Sequence, residues 1–156
     1  MTAEARPRLF TERYLLHDPS MTVVTKVSVD GAFDPEQFGR AIDALTDAHP
    51  FIRATVRVDD QGEAWYDLDS AAPCEIHIKQ GRSSEPGQER WLDTAQSELQ
   101  RRFDWERGPL VRFFAFHDPT GFDLMIVAHH LLGDGCALVT LTRDLTRALA
   151  GLSIEP

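Results

Sequence analysis

Hydrophobic and polar positions along this chain recur with two periods, and each period predicts its own elements. Thr22 to Gly31 (TVVTKVSVDG) is β-branched and partly alternating, which predicts a strand. In the FDPEQFGRAIDALTDAHP segment that follows, Phe38, Ala41, Ile42 and Leu45 fall on one helical face. Asp34 can cap that helix, Pro35 suits its first turn, Gln37 sits where a capping-box partner would, and Pro50 lies beyond its end. FIRATVRV (Phe51 to Val58) alternates, with Ile52, Ala54, Val56 and Val58 facing one way and Phe51, Arg53, Thr55 and Arg57 the other. DDQG then turns the chain into a hairpin partner, EAWYDL.

Cys74 to Lys79 (CEIHIK) predicts another short strand, and the polar GRSSEPG segment after it is the best candidate for mobility. Trp91, Leu92, Ala95, Leu99 and Phe103 space out a second helix. PLVRFFAFH, the turn DPTG and FDLMIVAHH predict a second hairpin. Leu138, Leu141, Leu145 and Leu149 mark a third helix from Gly135 to Ala150, with Gly151 placed to close it. Hairpins mixed with helices imply an α+β fold, a mixed or antiparallel sheet with helices packed on it.

Composition narrows the function classes. The 156 residues are 42% hydrophobic and 26% charged, an ordinary globular balance with enough chain for one domain, residues 1–156. A net charge of −9 disfavours nucleic acid and anionic lipid as partners. No apolar run approaches the roughly 20 residues that span a bilayer, and MTAEARPRLF is too polar for a signal peptide. Two cysteines, Cys74 and Cys136, make no disulfide framework, so a cytoplasmic setting is expected. No strand leads into a Gly-rich phosphate loop.

The chemistry concentrates in VAHHLLGDG, Val127 to Gly135. On a strand running from Phe122 to His130, His129 shares a face with Asp123, Met125 and Val127, and His130 with Phe122, Leu124, Ile126 and Ala128. Both faces are mostly apolar, so the strand should be buried on both sides. The two imidazoles then point apart, which argues against a shared metal ion. Two readings of the stretch remain. In one, the histidines are buried and hydrogen-bonded, and Asp134 caps the next helix. In the other, a neutral imidazole at a strand end acts as a general base. No serine or cysteine nucleophile set is evident, and Cys136 reads as a small buried residue on a helix face.

HHLLGDG has the form His-His-x-x-x-Asp-Gly, which resembles the signature of the chloramphenicol-acetyltransferase-like superfamily. That group includes condensation domains of nonribosomal peptide synthetases, polyketide-associated acyltransferases and alcohol O-acyltransferases. ALTDAHPFIRATV (Ala44 to Val56) and FDWERGPLVRF (Phe103 to Phe113) resemble two further family segments in the expected order. The resemblance implies one chloramphenicol-acetyltransferase-like lobe, the N-terminal of two, with the second lobe and an acyl or peptidyl carrier protein as partners. His130 would be the base, deprotonating a hydroxyl or amine as it attacks a thioester carbonyl. His129 would be structural. Asp134 would pair with Arg53, and Gly135 would leave room at the active-site channel. The acyl donor would be a thioester of coenzyme A or of phosphopantetheine, with no tightly bound cofactor. A docking module that keeps the lobe's fold without its catalysis is the alternative.

The chain also departs from the family. It lacks an Asp-Phe-Gly-Trp-Gly-like segment, and RPRLFTERYLLHD lacks the Ala-Gln-x-Arg-Leu-Trp pattern of peptide-synthetase members. HPFIRA (His49 to Ala54) reads closer to the O-acyltransferase branch.

Overall fold

The structure, a computed structural model, describes residues 9, 14–16, 18, 21–69, 72–82 and 90–154. The strands are β1 (Thr22–Asp30), β2 (Thr55–Val58), β3 (Ala64–Asp67), β4 (Glu75–Gln80), β5 (Val111–Asp118) and β6 (Gly121–His129). The helices are α1 (Pro35–Ala48), α2 (Arg90–Gln100) and α3 (Gly135–Leu149). Four strands form one mixed sheet in the order β1-β6-β5-β4, antiparallel except for the β4–β5 pair. β2 and β3 make a separate antiparallel hairpin. This is the expected α+β class.

Strand alternation divides the sheet into two apolar faces. Val111, Phe113, Ala115, Phe122, Leu124, Ile126 and Ala128 face α1 and α3. Phe114, Phe116, Met125 and Val127 face Ala95 of α2 and Val56 and Ala64 of the small hairpin. Every residue of β6 is buried. Each fully buried Leu, Ile or Phe contributes about 1.5–3 kcal/mol, so the sheet's centre is the most heavily stabilised part of the fold. β6 runs through that centre and delivers the histidines at its end.

The caps form largely where the sequence places them. Asp34 accepts hydrogen bonds from the Glu36 and Gln37 amides. Gln37 does not complete a capping box; its side-chain amide donates to the Leu149 carbonyl and ties α1 to the end of α3. Gly151, at φ 71°, lets the Leu152 amide reach back to the Arg147 carbonyl and closes α3.

Several expectations are corrected. Pro50–Arg53 is a 3-10 turn, closed by the Ile52 amide on the His49 carbonyl, so the strand begins only at Thr55. Pro50 sets a turn-like φ there, and the apparent alternation of Phe51 to Ala54 belongs to the turn. Val58 at the strand's end is exposed. Leu99 is exposed and Phe103 lies past the end of α2, because Glu98 takes the inward position. Cys136 is exposed, since it sits roughly 200° around α3 from the buried Leu138. Most of GRSSEPG lies outside the described residues.

The inward Glu98 answers a buried cation. Arg112 of β5 is 3% exposed; its guanidinium bonds Glu98 at 2.8 Å and donates to the Arg102 carbonyl at 3.0 Å. It also stacks on Phe103 at 3.8 Å from the ring centroid. A second buried carboxylate, Asp144 of α3, is fully enclosed and receives His49 and Arg143, each at 2.8 Å. His49 ends α1, so this cluster pins α1 to α3.

Candidate active site

The two histidines part company at the end of β6. His129 is the last residue of the strand and pairs with Thr22 of β1. It lies on the α2 face, as its alternation with Met125 and Val127 requires, and is 6% exposed. Phe103 packs edge-on against its ring at 5.9 Å between centroids. Its Nδ1 accepts a hydrogen bond from the Leu131 amide at 3.1 Å, which places the ring proton of the neutral form on Nε2. Burial pushes the His129 ring down to about 4, and the neighbouring His130 adds to the shift. His129 is therefore neutral across the physiological range.

His130 leaves the strand. It opens a 3-10 turn, His130–Leu132, so the two-residue period that describes Phe122 to His129 does not extend to it. Its backbone is tied at both ends: its amide donates to the Met21 carbonyl at 2.7 Å, and its carbonyl accepts from Gly133 at 3.2 Å. Its imidazole is half-buried, and among the described residues it has no hydrogen-bond partner. A neutral imidazole in that position can accept a proton from a group brought up to it.

The residues after the histidines set the helix start. Gly133 has φ 146°, and a Cβ there would stand 2.6 Å from the Ala137 Cβ. Only glycine fits that backbone. Gly135 opens α3 with nothing within 4 Å of an added Cβ, so the space in front of it is clear. Asp134 caps α3 by accepting from the Ala137 amide at 3.0 Å. Among the described residues no ion pair joins Asp134 to Arg53. The carboxylate serves the cap, and Arg53 lies on the exposed 3-10 turn beside Cys74. Burial pushes the Cys74 thiol up to about 11 against the opposing influence of Arg53, which leaves it a poor nucleophile.

Three groups next to the histidines were not legible as site residues. The Tyr66 hydroxyl, on β3, donates to the Leu131 carbonyl. Phe103 walls the His129 ring, and Gly133 makes the turn possible. Gly133 had a local signal, as a glycine between two elements, and Phe103 opens a family-like segment without any mark of its contact with His129; Tyr66 is 65 residues from its partner. A cavity of about 190 Å³ opens on the His129 side, lined by Leu16, Thr22, Phe103, Trp105 and His129. Among the described residues, no three of His, Cys, Asp or Glu come together as metal ligands, and no helix is long and apolar enough to cross a membrane.

Comparison with known proteins places the chain among relatives of one kind. The chain is 29% identical over 158 residues to a dimodular nonribosomal peptide synthase of Bacillus subtilis (strain 168), covering 94% of this chain and 6% of that protein. It is 29% identical over 149 residues to a linear gramicidin synthase of Brevibacillus parabrevis, covering 90% of this chain and 3% of that one. Among solved structures, the tallysomycin biosynthesis protein TlmII superposes with a TM-score of 0.79 at 23% identity, over 95% of this chain and 39% of its own. The starter condensation domain of the rhizomide synthetase RzmA, solved as a variant in complex with C8-CoA, gives 0.77 at 15% identity, over 94% and 36%. The structural likenesses establish the fold, and the chain spans well under half the length of each relative. Residues 5–153 match the condensation-domain family model. With nearly the whole chain inside that match and the fold shared, this protein belongs to the condensation-domain family.

Proposed function

We propose that this chain is the N-terminal lobe of a condensation-type acyltransferase of natural-product biosynthesis, and that His130 is its general base. One observation carries the reading: the adjacent histidines are unequal. His129 is buried, neutral and committed to the Leu131 amide, whereas His130 is half-buried with its imidazole unengaged among the described residues. In the proposed step the acceptor's oxygen or nitrogen attacks the thioester carbonyl while His130 takes its proton. The C–S bond then breaks as the C–O or C–N bond forms, and the leaving thiolate receives the proton back. The donor is an acyl thioester of coenzyme A or of a carrier protein's phosphopantetheine, as substrate. The C8-CoA complex of the RzmA domain supports a thioester of this kind. His129, Asp134 and Gly135 shape the turn and helix start behind the base. A second lobe closes the site, excludes water and holds the thioester against His130, which is where most of the rate from proximity arises.

The test compares His130→Ala with His129→Ala, assayed with octanoyl-coenzyme A and simple alcohols or amines, with a C-terminal condensation lobe supplied. His130→Ala should lower turnover per folded molecule by about 10²- to 10⁴-fold, while His129→Ala acts mainly on stability. A larger turnover loss from His129→Ala reverses the assignment. Unchanged turnover in His130→Ala leaves the docking module as the better account.

A further inference from the structure

We infer that Tyr66 is a positioning residue for His130, acting through the peptide of Leu131; the inference rests on the reading of His130 as the base. Leu131 directly follows His130, and both polar groups of its backbone are engaged. Its amide donates to His129 Nδ1, and its carbonyl accepts from the Tyr66 hydroxyl. Its side chain is 3% exposed in the apolar cluster beneath α2. The residue before His130 is held by its strand, and the residue after it by these two side chains. The His130 imidazole has no partner of its own among the described residues, so its direction is set by the backbone on either side.

Tyr66 is itself anchored. Its ring meets Phe51 edge-on at 5.5 Å, and its strand pairs with β2 at Val56. Val56 is fully buried, and its amide bonds the Trp105 carbonyl at 2.7 Å. The small hairpin lies apart from the four-stranded sheet, and one of its links to the histidine turn is this hydroxyl. That position gives the hairpin a role: it buttresses the turn that carries the base.

Tyr66→Phe removes the donor and keeps the ring against Phe51. Two readouts on this chain decide the inference. In hydrogen exchange, the Leu131 amide should exchange about tenfold faster, the effect of losing one hydrogen bond, while Leu141 and Leu145 in α3 stay as they were. In side-chain NMR spectra, the His130 ring resonances should shift and broaden. Equal acceleration at all three amides, or an unchanged His130 ring, overturns the inference. Para-aminophenylalanine at position 66, which restores a donor, should reverse both effects; persistence of either also overturns it. In the octanoyl-coenzyme A assay, Tyr66→Phe should lower kcat several-fold with KM unchanged, and should have no further effect when combined with His130→Ala. If His130→Ala leaves turnover intact, the base reading falls and takes the inference with it. If His130→Ala abolishes turnover and Tyr66→Phe leaves kcat unchanged, the inference alone falls.

Discussion

Replacing His129 with asparagine should flatten the acid limb of the protein's stability. In the folded chain burial holds the ring near a pKa of about 4, against 6.5 for an ordinary histidine. Between those values the unfolded chain binds a proton that the folded chain refuses, so stability rises with pH across this window. The contribution is fully present above pH 6.5 and is lost as pH falls towards 4. The difference between 6.5 and about 4 corresponds to about 3 kcal/mol, since a tenfold change in proton affinity is worth about 1.4 kcal/mol. Asparagine cannot titrate, and its side-chain oxygen can still accept from the Leu131 amide. The smaller side chain leaves a gap beside Phe103, a cost that does not vary with pH. Other groups titrate in acid as well. Burial alone would raise the Asp144 carboxyl, but Arg143 and His49 hold it below its usual range. Such groups are common to both proteins and cancel in the difference. Urea unfolding at half-unit steps from pH 4 to 7.5 should therefore show the two stabilities converging as pH falls, by about 3 kcal/mol over the series. Curves that stay parallel would refute the claim that His129 is buried neutral.

Removing Arg112 alone, as Arg112→Met, should cost about 2–4 kcal/mol because it leaves the buried Glu98 with only the more distant and more exposed Arg101 as a cation; Arg112→Met with Glu98→Met should cost far less than the sum of the single changes in denaturant unfolding. Gly133→Ala should lose about 1–3 kcal/mol through its positive φ and its approach to Ala137, whereas Gly135→Ala should change stability by less than about 0.5 kcal/mol; equal losses would show that the turn is not held as described. Asp134→Ala should cost about 1 kcal/mol as a lost helix cap, and the same amount in an Arg53→Ala background; a coupling above about 1 kcal/mol in that cycle would establish an ion pair between them.

What the sequence discloses of the site depends on which part of the chain carries the information. The face of His129 follows from side-chain alternation along β6, a property of consecutive residues, and the structure keeps it through the last strand position. The exit of His130 from the strand does not follow, because its amide still bonds Met21 in ladder register and the departure is made by the Gly133 amide turning back onto the His130 carbonyl, a backbone bond that leaves no mark on side-chain alternation. Asp134 illustrates the same division. Its local role as a helix cap is visible from spacing alone, while its pairing with Arg53 depends on where a distant turn lies.

The misplacement of Leu99 has a different origin. Helical periodicity assigns the inward face to the apolar residues, and by that rule Leu99 outranks Glu98. Arg112, however, sits at an inward position of β5 among Phe114 and Phe116, and the cost of leaving its charge unpaired there exceeds the gain from burying one leucine. The helix is turned by a residue beyond its own sequence. Arg112 in turn stacks on Phe103, and Phe103 is the wall against which His129 packs. A charge that hydrophobic patterning cannot place therefore sets the orientation of α2 and, through one aromatic ring, the surroundings of the buried histidine. Reading such a site from sequence requires asking of each arginine inside a strand which acid must follow it inward, before assigning the faces of the neighbouring helix.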